Sequence, residues 1–275
     1  MGTLYLVATP IGNLEDMSPR AVRILRQVSL IAAEDTRQTQ KLLNHFGIST
    51  SLISYFEHNK LTRLDLILSR LAEGDVALVS DAGTPAINDP GYELVRAALA
   101  AGHIVCPIPG PSAPIAALSA SGLPTDAFLY LGYLPRKPAE RRRFLETIAA
   151  LPYTLIFLET PHRLLASLLD LQAVLGDREM AAARELTKLH EELIYGPISR
   201  VRAHFEQNKP RGEFVLVLAG CKKEKAQWTE EMLTQAIQAG MESGESPSSL
   251  AARLADESGR ARREIYYRIQ ASRKQ

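Results

Sequence analysis

The feature that most constrains this chain is a rhythm. Short apolar runs, each closed by a turn rich in glycine or proline, alternate with helical stretches. Residues 4–8, 30–33, 75–80 and 103–108 read as buried strands. Helices are predicted to start at Pro19 with Ser18 as N-cap, to run over 36–46 with Gly47 placed to end it, and to run over 90–101. A β-α-β-α order implies an α/β fold with a mostly parallel sheet covered on both faces. The second half repeats the theme less regularly, with strands at 127–131, 153–158, 181–183, 192–195 and 213–219 and helices at 138–150 and 162–175. The last two strands come without long crossovers, which predicts some antiparallel pairing. Beyond Gly220, Lys222, Lys223 and Lys225 form a polar linker to three helical segments at 229–241, 247–256 and 261–271.

Bulk properties narrow the class. A chain of 275 residues has room for two domains and a small appendage. The net charge of +1 means that any contact with nucleic acid must come from local patches rather than a general basic field. Cys106 and Cys221 lie far apart and in no metal-ligand spacing, which points to a reducing, cytoplasmic setting. The apolar run at 4–8 is too short for a signal peptide, and no stretch approaches the roughly 18 apolar residues that a membrane span needs.

Three loops, each following a predicted strand, are the places to expect chemistry, because open α/β sheets bind ligands beyond the carboxyl ends of their strands. The first is Thr9-Pro10-Ile11-Gly12-Asn13-Leu14, which also reads as a plain tight turn. The second, residues 80–91, packs two prolines, two glycines and two aspartates into one connection, far more punctuation than a bare link needs. Within it Asp81 can face a cation such as a sulfonium or an amino group, or cap the next turn. The third is Pro109-Gly110-Pro111-Ser112-Ala113-Pro114. There Ser112 is accounted for as a helix N-cap, and the small residues that follow can let a flat ring approach the backbone. Phosphate-cradling glycine motifs, a nucleophile elbow and clusters with metal-ligand spacing are all missing, which argues against a nucleoside triphosphatase, an ordinary dinucleotide enzyme and a serine hydrolase.

These blocks carry a family resemblance. Leu6-Val-Ala-Thr-Pro-Ile-Gly-Asn-Leu14, Ala33-Glu-Asp-Thr-Arg37, Ser80-Asp-Ala-Gly-Thr-Pro85 and Pro109-Gly-Pro-Ser-Ala113 resemble the signature blocks of the tetrapyrrole-methylase-like superfamily. Within it they are similar to the ribosomal RNA small subunit methyltransferase I branch. Glu159-Thr-Pro-His-Arg163, Arg184-Glu-Leu-Thr-Lys188 and Arg211-Gly-Glu213 continue the resemblance, which runs over about residues 3–220. It implies two α/β domains, 1–114 and 115–221, with S-adenosylmethionine in the cleft between them, and a helical extension at 228–275. It also implies a homodimer and 2′-O-methylation of a cytidine in 16S rRNA, within the small ribosomal subunit. Cofactor contacts are then expected from Pro10, Gly12, Asp81, Gly83, Thr84, Pro85, Ile87, Pro109, Gly110, Ser112 and Ala113. Ala86 and Asn88 stand where the branch often has a bulkier or a hydroxyl residue. Tetrapyrrole methylases proper carry a G-x-G-x-G-D loop after the first strand, and this chain has Thr9-Pro10-Ile11-Gly12-Asn13 there, which weakens a porphyrinoid substrate. The competing functions are a small-molecule methyltransferase of the tetrapyrrole type and a catalytically idle ribosome-binding factor.

Methyl transfer needs in-line approach of the ribose oxygen to an activated methyl carbon, a task of orientation that requires no metal. A general base, or a cation at the developing alkoxide, helps a poor nucleophile. Candidates are Glu34, Asp35, Arg37, Glu185 and Lys188, with the base unassigned. An acidic helix start accounts equally well for Asp35. Glu159 and Arg163 can form an i, i+4 surface ion pair. Two basic patches, Arg136, Lys137, Arg141, Arg142 and Arg143 in one and Arg260, Arg262 and Arg263 in the other, are candidate RNA contacts or simply solvated helix faces. Tyr266 and Tyr267 can stack on a base, with at least one expected in the core. Residues 248–269 have a helix-turn-helix pattern. His162 and His190 read as structural or surface residues.

Overall fold

The structure, a computed structural model, describes residues 2–221 and 228–272. The linker lysines Lys222, Lys223 and Lys225 lie outside them. Two compact units result, 1–221 and 222–275.

The first unit holds two five-stranded sheets. In the first sheet the strands are β1 (Thr3–Val7), β2 (Leu30–Ala33), β3 (Leu52–Ser54), β4 (Val76–Val79) and β5 (Ile104–Ile108), all parallel in the order β3-β2-β4-β1-β5. Pro107 sits on β5, at the sheet edge, where a missing N–H does least harm. β2 and β4 are buried at every residue, as a strand covered on both faces must be. One face is covered by α1 (Pro19–Gln27) and α2 (Thr36–His45) through Ile24, Leu25 and Leu43. The other is covered by α3 (Leu64–Glu73) and α4 (Tyr92–Ala100) through Ile67, Leu71, Leu94 and Ala98. Local chemistry sets the helix starts: the Ser18 hydroxyl accepts from Ala21 N–H with Pro19 at the first position, and the Asp35 carboxylate accepts from Arg37 N–H.

The second sheet contains β6 (Phe128–Tyr133), β7 (Thr154–Glu159), β8 (Glu179–Arg184), β9 (Glu192–Pro197) and β10 (Phe214–Leu218), in the order β6-β7-β10-β8-β9. Only β6 and β7 are parallel; the other pairs run antiparallel. Alternation along β10 sorts the core. Phe214, Leu216 and Leu218 face α6 (Pro138–Ile148), α7 (Leu164–Leu175) and α8 (Ile198–Gln207), while Val215 and Val217 face α5 (Ala113–Ala120). The short turn between β8 and β9 gives antiparallel pairing as expected, but the ten-residue α8 links β9 to β10, so the expected direct connection there is corrected. α5 begins at Ala113, so the expected division between 114 and 115 falls inside a helix that packs on the second sheet.

The second unit is three helices, α9 (Glu230–Glu242), α10 (Pro247–Ser258) and α11 (Arg262–Ser272), around Leu233, Ile237, Leu250, Leu254, Ile265 and Ile269. Thr229 and Ser246 cap the first two helices, and Gly259 turns the chain between α10 and α11 in the left-handed region (φ 74°).

Candidate functional site

β1 and β4 are neighbours in the first sheet, yet the helices that follow them, α1 and α4, lie on opposite faces. That is a topological switch point, where the loops diverge and leave a crevice. Three loops meet there. Thr9 and Gly83 exchange backbone hydrogen bonds at 2.9 and 3.0 Å, joining the first loop to the second. Thr84 Oγ1 donates to the Pro111 carbonyl at 3.2 Å, joining the second to the third. Asp35 N–H donates to Asp81 Oδ1 at 2.9 Å, fastening the end of β2 to the same cluster.

The second sheet closes the crevice. Its β8–β9 turn carries Glu185 and Lys188. Lys188 Nζ donates to Glu185 Oε1 at 3.0 Å and to Glu213 Oε2 at 2.9 Å, and Glu213 N–H donates to Glu185 Oε1 at 2.9 Å. Close approach across the crevice depends on Gly12: a Cβ there would stand 2.4 Å from Lys188 Cγ and 2.7 Å from Thr187 Oγ1.

Two cavities result. The first, about 260 Å³, runs from the second and third loops to the second sheet and is walled by Glu34, Asp89, Ile87, Ser112, Tyr130 and Val215, among others. The second, about 460 Å³, opens over the ends of β1, β2 and β4 and takes in residues of α2. Ile11, Asp81, Ala82, Lys188 and Glu213 belong to both, so the cavities share a wall.

The electrostatics are uneven. Burial pushes the carboxyls of Glu34, Asp81 and Asp89 above their ordinary values; the charge of Asp89 adds to the effect at Glu34. Burial pushes the Tyr130 phenol up to about 12, so it stays a neutral donor. Burial opposes charge on Lys188 too, but its bonds to Glu213 and Glu185 outweigh it and raise the ammonium above its ordinary value. For Glu185 the same contest ends with the carboxyl held low, because Glu213 N–H and Lys188 outweigh burial. Among the described residues, four non-glycine residues take left-handed backbone, Ala86 (φ 66°), Asn88 (63°), Glu185 (49°) and Thr187 (66°), and all lie in the loops that bound the crevice. Such residues cost about 1–3 kcal/mol each and persist only where their surroundings hold them.

Most of the residues expected from sequence do gather here. Glu34, Asp81, Gly83, Thr84, Ile87, Ser112, Ala113 and Lys188 line the first cavity, and Pro10 and Gly12 the second. Ser112 takes the N-cap position of α5, but its hydroxyl makes no capping bond, so that account of it does not hold. Gly110 lines a separate hollow beside Ser112. Pro85 is buried behind its loop and Pro109 lies outside both cavities, so these two shape the loops without lining them. Glu185 anchors Lys188 rather than lining either cavity. The Arg37 side chain is 87% exposed, forked onto Asp35, and lines neither cavity.

The basic patches need revision. Arg141, 3% exposed, is bound to Asp170 through Nε at 2.7 Å, so it is a core residue and not an RNA contact. Arg142 pairs with the other Asp170 oxygen at 2.6 Å from an exposed position, and Arg136, Lys137 and Arg143 are exposed. Arg260 is held by Glu230, donates to the Trp228 carbonyl and is only partly exposed. Arg262 bonds to Ser248, and Arg263 lies over the Tyr267 ring. Both Tyr266 and Tyr267 are exposed, against the expectation that one packs in the core, because Ile265 and Ile269 fill that role on α11. Glu159 and Arg163 do pair, at 3.3 Å, but Glu159 is buried rather than on the surface. His162 and His190 are exposed and line neither cavity.

Sequence reasoning missed Asp89, Tyr130, Tyr133 and Glu213 as cavity residues. A bulge explains the tyrosines. Residues three apart on a regular strand face opposite sides, but three steps on β6, from Tyr130 to Tyr133, match two on β7, from Ile156 to Leu158, so both tyrosines reach the same cavity. Gly132 between them, a glycine in the interior of a strand, was the available signal.

A family model for tetrapyrrole (corrin/porphyrin) methylases matches residues 3–202. Ribosomal RNA small subunit methyltransferase I of Synechocystis sp. is 50% identical over 269 residues, covering 97% of this chain and 96% of that one. The chain belongs to the tetrapyrrole methylase family, in its ribosomal RNA small subunit methyltransferase I branch. A branch member of the same name from Thermotoga maritima is 48% identical over 221 residues, which cover 80% of this chain and 99% of the relative. In the wider tetrapyrrole methylase family, the solved uroporphyrin-III C-methyl transferase of Thermus thermophilus, complexed with S-adenyl homocysteine, shares the fold. Its TM-score is 0.54 at 20% identity, over 79% of this chain and 97% of that one. No helix among the described residues is long and apolar enough to cross a membrane.

Proposed function

We propose that this protein uses S-adenosylmethionine to methylate the ribose 2′-hydroxyl of a cytidine in 16S rRNA of the small ribosomal subunit, acting as a cytoplasmic homodimer. The near-full-length likeness to relatives named ribosomal RNA small subunit methyltransferase I carries the reading. The first cavity fits the donor chemically. Three carboxyls whose ionisation burial opposes, Glu34, Asp81 and Asp89, suit a ligand with a sulfonium and an ammonium group. Thr84, Ser112 and Ala113 add polar and close-approach surface from two loops, and Ile87 and Val215 add apolar surface. The bound donor supplies an activated methyl group and its own leaving group.

The protein's part is orientation and charge. Lys188, kept charged by Glu185 and Glu213, sits in the wall common to both cavities and stabilises the ribose oxygen as it gains negative charge. A lysine raised in this way is no base, so the proton goes to a carboxylate, and Asp81 is the one in the shared wall that burial has made more basic. Glu185 is a positioning residue. The exposed cations Arg136, Lys137, Arg142 and Arg143, and on the helical unit Arg262 and Arg263, are the surface groups left for the RNA backbone. The Thermotoga relative is matched over 99% of its length by 221 residues of this chain, which supports a reaction carried by a catalytic part shorter than the whole chain.

The test is incorporation of labelled methyl from S-adenosylmethionine into small ribosomal subunits, naked 16S rRNA and a porphyrinoid, with the product nucleoside analysed. A 2′-O-methylated cytidine in the RNA is expected. Label in the porphyrinoid alone would defeat the reading, and light scattering checks the dimer.

A further inference from the structure

The second cavity has no occupant in the reaction described so far. We propose that it receives one unstacked nucleotide of a single RNA strand, the methyl acceptor, and that Gln38 and Lys41 on α2 are its recognition groups. The inference rests on the RNA methyl-transfer reading.

Three observations point this way. First, the two cavities meet along Asp81, Lys188 and Glu213, so a group in the second reaches the first across polar side chains suited to handling a hydroxyl proton. Second, its volume of about 460 Å³ lies within the range of small-molecule sites. Third, its lining divides by chemistry. Pro10, Ile11, Leu14 and Leu42 give apolar surface against which a flat ring can lie, whereas Gln38 and Lys41 present an amide and an ammonium. The spacing 38, 41, 42 puts these groups on one face of α2, and Lys41 Nζ donates to Gln38 Oε1 at 3.1 Å, which places the cation beside the amide. Gln38 and Lys41 are both exposed. An apolar wall, an amide for base edges and a cation for a phosphate is how proteins take up bases that have left the stack.

The experiment compares Lys41→Glu, Lys41→Arg, Gln38→Ala and a control charge reversal at an exposed lysine that lines neither cavity, Lys209→Glu. Three quantities are read: calorimetric affinity for S-adenosylhomocysteine, KM and kcat with small ribosomal subunits, and affinity for a short fluorescent single-stranded RNA with S-adenosylhomocysteine present. Lys41→Glu should raise KM for subunits and weaken short-RNA binding by about tenfold or more, with a shallower salt dependence. Gln38→Ala should act in the same direction. Lys41→Arg should restore both, Lys209→Glu should change neither, and S-adenosylhomocysteine affinity should hold throughout as the check on folding. If the wild type methylates subunits but Lys41→Glu and Gln38→Ala keep KM and short-RNA affinity, the site is wrong and the methyl-transfer reading survives. If the wild type methylates no RNA yet short-RNA affinity falls with Lys41→Glu and not with Lys209→Glu, the cavity binds RNA but its nucleotide is no methyl acceptor, and the methyl-transfer reading falls with that part of the proposal.

Discussion

Replacing Gly12 by alanine tests whether the placement of Lys188 governs catalysis. The new Cβ would lie 2.4 Å from Lys188 Cγ, 2.7 Å from Thr187 Oγ1 and 3.1 Å from the Leu186 carbonyl oxygen. These neighbours cannot simply swing aside. The Leu186 oxygen is backbone, Thr187 is already in left-handed backbone, and Lys188 Cγ lies near the root of its side chain. Reaching an ordinary contact of 3.4 Å requires a shift of about 1 Å in Lys188 or its turn. Nζ now stands 3.0 and 2.9 Å from its two carboxylates, so that shift breaks the pairing that keeps it charged and aimed. Misplacement on this scale costs about 100-fold in rate, or ~2.7 kcal/mol of activation free energy. Gly12 itself is outside the left-handed region, so the effect is steric and local, and the overpacking costs about 1–3 kcal/mol of stability, read as a melting temperature lower by several degrees. Single-turnover methylation of small subunits, paired with S-adenosylhomocysteine calorimetry and a thermal melt, reads all three. A Gly12→Ala protein that binds S-adenosylhomocysteine normally and turns over within about threefold of wild type would refute the role given to Lys188.

Other consequences follow from the same structure. Burial raises the Glu34 and Asp89 carboxyls above their ordinary values of 4.5 and 3.8. Between those values and the raised native ones the unfolded chain binds fewer protons than the folded one, so stability falls as pH rises through that window. Glu34→Gln and Asp89→Asn should therefore raise the melting temperature at pH 7, with the gain vanishing below about pH 4 where both states are protonated, while S-adenosylmethionine affinity drops. Melts across pH against the wild type measure this, and a loss of stability at pH 7 contradicts it. Asp170→Ala leaves the buried Arg141 guanidinium without its carboxylate and should cost about 3–5 kcal/mol, seen as a lower urea midpoint. A chain ended at Cys221 should keep its affinity for S-adenosylhomocysteine and lose affinity for subunits; failure to bind the ligand would show that the first unit is incomplete alone.

Much of the fold was legible because it rests on local rules. β2 is found at the predicted residues, and Ser18, Pro19 and Asp35 start their helices by capping chemistry that the sequence displays. What escaped had weak local signals. β3 is three half-buried residues at a sheet edge, and α8 was hidden by reading 192–219 as two strands and a link. The loops were recognisable from their glycines and prolines, but partners were not. Nothing near Arg141 in sequence announces Asp170, which lies on the next helix and turns one member of an apparent basic patch into a core ion pair. Tyr130 and Tyr133 share a cavity only because of a bulge, a property of two strands together.

The cleft is also where this protein departs from the rules that the rest of it obeys. Among the described residues, all four left-handed non-glycine positions lie in its bounding loops, and the three carboxyls that burial raises, Glu34, Asp81 and Asp89, line one cavity. Each departure costs stability, and a ligand carrying positive charge relieves the carboxyls directly. The cross-links from Thr9 to Gly83, Thr84 to Pro111 and Asp35 to Asp81 are what such a site requires, since strained loops keep one geometry only when they hold each other. Binding of the donor should therefore stabilise this unit by the amount its affinity sets, and least at low pH, where the three carboxyls are protonated. The stabilisation should also grow as pH rises and the carboxylates ionise, because the bound cation then answers charges that the empty cleft leaves exposed to one another.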